Sequence, residues 1–222
     1  MKRKRIDGMN IEIITATIDM LEEIVAIQTA AFSEREPMTM SLNFTKEEMY
    51  DYFLKIIPES INSGLTMAAV DEDKGAIAAV VICFDAFAVF PNMEWTQKEI
   101  DGISKTNIFF EELEKPLNTN PAFKPEKCVR LMYVSTDENY LRRGIARKLG
   151  ESMINRAIDL GYELMIADAT NINSAGMFEK LGFWQEKVLP YKLVEKDGLK
   201  AFGNVEGECI LYSRYLQENC FS

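Results

Sequence analysis

Leu141-Arg142-Arg143-Gly144-Ile145-Ala146 joins two segments of different periodicity, and its reading decides the fold. Upstream, Cys128-Val129-Arg130-Leu131-Met132-Tyr133-Val134-Ser135 is rich in apolar and β-branched residues and long enough for a buried strand. Downstream, Ile145, Ala146, Leu149, Met153, Ile154, Ala157 and Ile158 recur at helical spacing, and Gly161 marks a stop. Two arginines and a glycine therefore open a helix directly after a strand. The first turn of a helix carries unsatisfied N–H groups and a partial positive charge, so it attracts anions. Gly144 has no Cβ and lets a ligand come close to the backbone. The stretch reads as a phosphate or pyrophosphate cradle built around Arg142, Arg143, Gly144, Ile145, Ala146 and Arg147. The alternative is an exposed basic first turn. The glycine spacing matches neither the Gly-x-x-x-x-Gly-Lys-Ser/Thr loop nor the Gly-x-Gly-x-x-Gly turn.

Composition narrows the chemistry. The 222 residues, 47% of them apolar, suit one domain with a full core. No apolar run reaches membrane-spanning length. The chain contains no histidine, which removes Ser-His-Asp and Cys-His nucleophiles and facial-triad iron sites. A general base must come from Glu, Asp, Lys, Tyr, Cys or a water relay. Cys83, Cys128, Cys209 and Cys220 have no paired spacing, which predicts reduced thiols in a cytoplasmic protein and no zinc or other metal site. A net charge of −10 argues against a nucleic-acid partner. Met1-Lys2-Arg3-Lys4-Arg5 has no apolar signal core after it, and residues 1–10 are expected to be a disordered basic start.

A single domain is expected over 11–222. Strands are predicted at Ile11 to Ala16, Leu65 to Asp71 and Ala76 to Phe84, the last two joined by the turn Glu72-Asp73-Lys74-Gly75. One helix should run from about Thr17 to Ala31 and break over 32–38, and Thr45 should cap another. The region 91–124 reads as an insertion with a helix near 108–115. A strand at 128–136, a helix at 143–160, a strand at 162–169 and a helix at 173–181 follow. Antiparallel strands near 187–195 and 207–215, joined through Lys196-Asp197-Gly198, complete an α/β pattern with a mixed sheet.

The 141–147 turn resembles the acetyl-coenzyme-A signature Arg/Gln-x-x-Gly-x-Gly/Ala of the GNAT superfamily of N-acetyltransferases. Gly144 and Ala146 match it, and Leu141 departs from it. A second block, Asn171 to Phe183, is similar to that superfamily's Asn-x-x-Ala-x-x-x-Tyr-x-x-x-Gly-Phe segment, with Phe178 where a tyrosine acid often stands. The loop Glu36-Pro37-Met38-Thr39-Met40-Ser41-Leu42 and the segments Leu189-Pro190-Tyr191-Lys192 and Asp197 to Phe202 resemble invertebrate arylalkylamine N-acetyltransferases. The resemblance implies a mostly antiparallel sheet with a splayed central strand, flanked by helices. It implies acetyl-CoA pairing with Val134, Ser135 and Thr136 like an added strand. It also implies transfer to a small primary amine such as dopamine, tyramine, octopamine or serotonin.

Within that resemblance Glu36 is the general base, through water, and its competing reading is an ordinary loop charge beside Arg35. Thr170 and Ser174 are either proton relays or thiolate partners, or else helix caps, and Asn171 is either a cap or a partner of the cofactor arm. Phe178 packs near the pantetheine. Tyr133, Tyr140 and Tyr191 are further candidate acids, and no spacing selects one. Phe32, Pro37, Met38 and Ser41 fall beside the acceptor, with Phe44, Tyr50 and Phe53 as ring-stacking or core residues. An acidic pocket with several exposed carboxylates around 34–51 would favour polyamines. A polyamine or amino-acid acetyltransferase, or a catalytically silent acyl-CoA sensor, are the alternatives. A monomer or dimer is expected, with no membrane partner.

Overall fold

The computed structural model describes residues 5–6, 8–86, 88, 90, 93–121 and 123–216. The elements are β1 (Arg5–Ile6), β2 (Met9–Thr15), α1 (Leu21–Arg35), α2 (Pro37–Ser41), α3 (Lys46–Asn62), β3 (Thr66–Asp71), β4 (Ala76–Asp85), α4 (Gln97–Leu113) and α5 (Lys115–Asn118). After them come β5 (Cys128–Thr136), α6 (Ile145–Asp159), β6 (Leu164–Ala169), α7 (Ile172–Lys180), β7 (Trp184–Pro190), β8 (Glu195–Lys196), β9 (Leu199–Lys200) and β10 (Glu208–Tyr215).

The strands form a sheet in the order β1-β2-β3-β4-β5-β6-β10-β7, with only β5 and β6 parallel. One face packs Val81, Leu131 and Met165 against Leu149 and Met153 of α6 and Phe178 of α7. The other face carries Val80 and Ile82 under Ile24 and Val25 of α1 and Phe53 and Ile57 of α3. Beside that patch, Cys128, Ile166 and Leu211 meet Phe109 and Leu113 of α4. Cys83, Cys128 and Cys209 are buried free thiols in strands, and burial raises all three thiol pKa values. Cys220 lies outside the described residues. Among those residues, no helix is long and apolar enough to cross a membrane.

Several boundaries differ from the sequence reading. Residues 1–4 of the basic start lie outside the described residues, whereas Arg5–Ile6 pairs with Met9 and Asn10, so regular structure begins before residue 11. Helix α1 continues past Ala31 to Arg35. Pro37 opens the next helix rather than ending the previous one four residues early, because proline suits the first helical position. In the insertion, α4 runs over 97–113 from a Thr96–Glu99 capping box, much longer than the helix expected near 108–115. Lys196-Asp197-Gly198 joins a separate small hairpin, β8–β9, while β7 pairs directly with β10. Thr45 caps α3 as expected, with Glu48 closing the box.

Candidate active site

The site begins at a fork in the sheet. β5 pairs with β6 only over Cys128 to Leu131, while it stays paired with β4 as far as Thr136. The β4–β5 register shifts between Ile82 and Cys83, where Leu131 and Tyr133 face consecutive residues of β4 and Met132 is the extra residue. Such a bulge bends a strand, and here it turns β5 away from β6. Helix α1 holds the diverging limb. The Ser135 hydroxyl donates to Gln28 Oε1 at 2.7 Å, and Arg35 Nη2 donates to the Thr136 carbonyl at 3.2 Å. Among the described residues no strand pairs with the β6-facing backbone edge of 132–136, which is open to an added extended ligand.

At the mouth of the fork stands the turn into α6. Arg142 has φ +61° and Gly144 φ +74°, both left-handed, flanking Arg143. Closely spaced left-handed residues make the kind of turn whose amides form an anion cradle. Apart from its own chain neighbours, no atom of the described residues lies within 4 Å of where a Cβ on Gly144 would sit, so the space beside it is open. Arg142 is strained there for a residue with a side chain. Val134, Ser135, Thr136, Arg142, Arg143, Gly144, Ile145, Ala146, Arg147, Asn171 and Phe178 all line one cavity of about 1640 Å³. These groups fit a pyrophosphate on the turn and an extended thiol-bearing arm in the fork. Arg147 also pairs with Glu151 at 3.5 Å, one turn along α6.

The same cavity continues past the fork to the α1–α4 side of the sheet. Glu36 lies on its wall, only 7% exposed. Its Oε1 accepts from Met38 N at 3.1 Å and its Oε2 from Thr39 N at 2.6 Å, so it is the N-cap of α2. Capping fixes the carboxylate where it stands, and each oxygen keeps a further lone pair. Phe32 and Met38 line the cavity with it, whereas Pro37 and Ser41 do not. Pro37 is the first residue of α2, and the Ser41 hydroxyl donates to the Met38 carbonyl at 2.7 Å.

An aromatic wall faces Glu36. Phe32 meets Tyr133 and Phe53 edge to face, with centroids 5.1 Å and 6.0 Å away, and Tyr52 stands 5.8 Å from Trp95. Phe44 lines the cavity and Tyr50 does not. Tyr52, Trp95 and Tyr133 were not expected on this wall. Burial, the hydrogen-bonded Tyr52 hydroxyl and the nearby Glu36 charge hold the Tyr133 hydroxyl well above its ordinary pKa. Tyr140 donates instead to Asp71 at 2.8 Å, and Tyr191 to the Thr170 carbonyl at 3.2 Å. Asn171 and Ser174 form the capping box of α7, so the capping reading of both is realised, although both also line the cavity with Thr170. Of the 34–51 carboxylates, Glu34 pairs with Lys46 and Glu48 with Lys98, each at 2.5 Å, and Glu36 caps α2, while Glu47 and Asp51 are exposed.

A family model described as the acetyltransferase (GNAT) family matches residues 21–183. The chain belongs to that family. Among solved structures, the GNAT chain is similar to the C-terminal condensation domain of Ebony in complex with beta-alanyl-dopamine. That match has TM-score 0.80 and 17% identity, and covers 93% of this chain and 99% of that one. It is also similar to arylalkylamine N-acetyltransferase 2 from Aedes aegypti, with TM-score 0.74, 20% identity, and 94% and 100% of the two chains covered. A polyamine N-acetyltransferase from Drosophila melanogaster matches with TM-score 0.71 and 16% identity, over 92% and 99%. At these identities the likeness shows a shared fold. This GNAT protein is an N-acetyltransferase that uses acetyl-CoA and acts on amines.

Proposed function

We propose that this GNAT protein transfers acetyl to small primary amines, with arylalkylamines as its acceptors and Glu36 as its general base. The observation that carries the reading is the placement of Glu36. Its buried carboxylate shares one cavity with the open edge of β5 and with the aromatic wall, close enough to Tyr133 to raise that hydroxyl's pKa. Acetyl-CoA supplies the activated acetyl group. The chain's own part is to seat the phosphates on 142–147, to present β5 amides of 132–136 toward the acyl carbonyl, and to exclude water. An alkylammonium must lose a proton before it can attack. Glu36, held in place by Met38 N and Thr39 N, takes that proton through water. Phe32, Phe53, Tyr133, Tyr52 and Trp95 offer ring edges and faces on which an aryl group packs.

Thr170 and Ser174 line the same cavity, and as hydroxyls they serve as donors to the departing thiolate rather than as bases, Ser174 by turning its hydroxyl from the Asn171 carbonyl, to which it donates at 2.8 Å. Phe178 packs against Phe183 and Tyr212, with centroids 5.4 Å and 5.8 Å away, and donates no proton.

The test is thiol release from acetyl-CoA against arylalkylamines, polyamines and amino acids. Fast turnover on arylalkylamines is expected, and Glu36→Gln should lower it by about 10²-fold or more. Turnover of the variant within a few-fold of wild type would remove Glu36 from the role of base. Cofactor binding by calorimetry with silence across the whole panel would favour a sensor.

A further inference from the structure

The cavity has a third wall whose charges the transfer step does not use. Arg130 lies on the paired limb of β5. Asp168 lies on β6, one residue beyond the last β5–β6 pair, Leu131 with Ala167. Glu114 is the C-cap of α4. All three line the cavity. The Arg130 guanidinium donates through Nη1 to Asp168 Oδ2 and through Nη2 to Glu114 Oε1, and Phe110 covers it with its ring centroid 5.5 Å away. Their side chains are 6%, 9% and 14% exposed for Arg130, Asp168 and Glu114.

Two carboxylates thus share one guanidinium away from water, leaving one negative charge in excess. Asp168 Oδ1 is buried and has no hydrogen-bond partner among the described residues. Burial raises the pKa of Asp168 and of Glu114 against the pull of Arg130. A buried, unpartnered carboxylate oxygen is costly, and an apolar residue would pack at this strand position without that cost. Asp168 lines the cavity with this oxygen just beneath the accessible surface, and the vacant acceptor suits a donor brought in by a ligand.

We propose that Asp168 Oδ1 receives a hydrogen-bond donor carried at the far end of the acceptor amine, making the Glu114–Arg130–Asp168 cluster a specificity subsite. The assignment rests on the amine-acetylating reading of the cavity. The ligand is then bifunctional: a primary amine near Glu36, and a donor group near Asp168. Two sources share this chemistry, a ring hydroxyl or indole N–H, and a second ammonium or guanidinium. A site built around a buried acceptor discriminates strongly against an analogue that lacks the donor, because the acceptor is then left unsatisfied.

Matched pairs test this. Tyramine against phenethylamine differs only in the ring hydroxyl, and 1,4-diaminobutane against butylamine only in the second nitrogen. In the wild type, the donor-bearing member of one pair should have a kcat/KM higher by about 10-fold or more, the scale of a hydrogen bond to a charged group. That pair identifies the source. In Asp168→Asn the amide keeps its carbonyl on Arg130 and turns its NH2 to the Oδ1 position, so the ratio should fall toward one. Asp168→Leu should do the same. A ratio taken within one variant cancels differences in active fraction or stability.

Equal rates for both members of both pairs in the wild type would overturn the assignment, as would a preference that survives in both variants. Absence of turnover on every amine would sink the acetylation of these amines, while the same pairwise ratios read as Kd by calorimetry would still decide the subsite in either direction.

Discussion

Glu99 and Glu114 stand at opposite ends of α4, and their surroundings have made them opposites. Glu99 is at the third position of the helix, where the dipole favours a carboxylate, and Glu114 caps the end where it does not. Both Glu99 oxygens accept from Lys55 Nζ, at 2.8 and 2.7 Å, and Thr96 N adds a third bond. Burial works against the charged form of Glu99, but the bonds from Lys55 and Thr96 outweigh it and hold its pKa below the ordinary value. At the other end burial wins, and Glu114 and Asp168 titrate above their ordinary values despite Arg130 between them. The first end is a closed anchor that ties α4 to α3. The second is an open one, with an oxygen to spare. Satisfied charge holds a helix in place, and unsatisfied charge beside a cavity invites a ligand.

The contrast can be broken first at Arg130. Arg130→Met strands two buried carboxylates and should cost about 3–5 kcal/mol at neutral pH. In a chain of this size that is a fall in melting temperature of roughly 2–4 °C per kcal/mol. Because the folded pKa values of Glu114 and Asp168 are already raised, and rise further without the guanidinium, the loss is complete at high pH. It should recover as the pH falls through those raised values and the carboxylates take up protons. A denaturant midpoint unchanged at neutral pH would mean that the cluster is wet rather than desolvated.

A smaller effect is expected at the closed end. Lys55→Met removes two charge-assisted bonds to Glu99, a loss of about 2 kcal/mol. Here the sign reverses. A carboxylate with a depressed folded pKa stabilises fully above its unfolded value and stops doing so as the pH falls through the folded one. Acid should therefore erase the difference between Lys55→Met and wild type, readable as amide exchange in the first turn of α4. A difference that grew in acid would contradict the pairing. Thr96→Ala should cost least, about 1 kcal/mol from the lost N-cap, with no change in acceptor preference.

The sequence exposed some of this well. Cys128–Thr136 forms a strand over the predicted residues, and α6 starts at the basic turn, since both patterns are local and long. The proposed cofactor half of the site could be named from sequence because it lies in a contiguous hexapeptide and one nearby strand, which line one cavity. The acceptor half could not. Trp95 and Tyr52 come from different elements, and neither sits in a motif. The ionic cluster gathers residues 114, 130 and 168, although a signal existed: Arg130 and Asp168 are the charged residues of β5 and β6. A charge on the buried face of a strand needs a partner from elsewhere, and the sequence does not say where. The capping box at Thr96 and Glu99 was equally visible, and it marks the true start of α4.

By itself, the sequence determined the alternation of strands and helices, the basic turn that opens α6 and the absence of histidine chemistry. These follow from backbone periodicity, glycine and residue type, which act over a few neighbours. Only the tertiary structure decided that β5 leaves β6 after Leu131 and that Glu36 caps α2 on the wall of the same cavity. It alone leaves Asp168 with an unpaired oxygen there. Burial and electrostatic pairing depend on distances between residues far apart in the chain, and folding sets those distances.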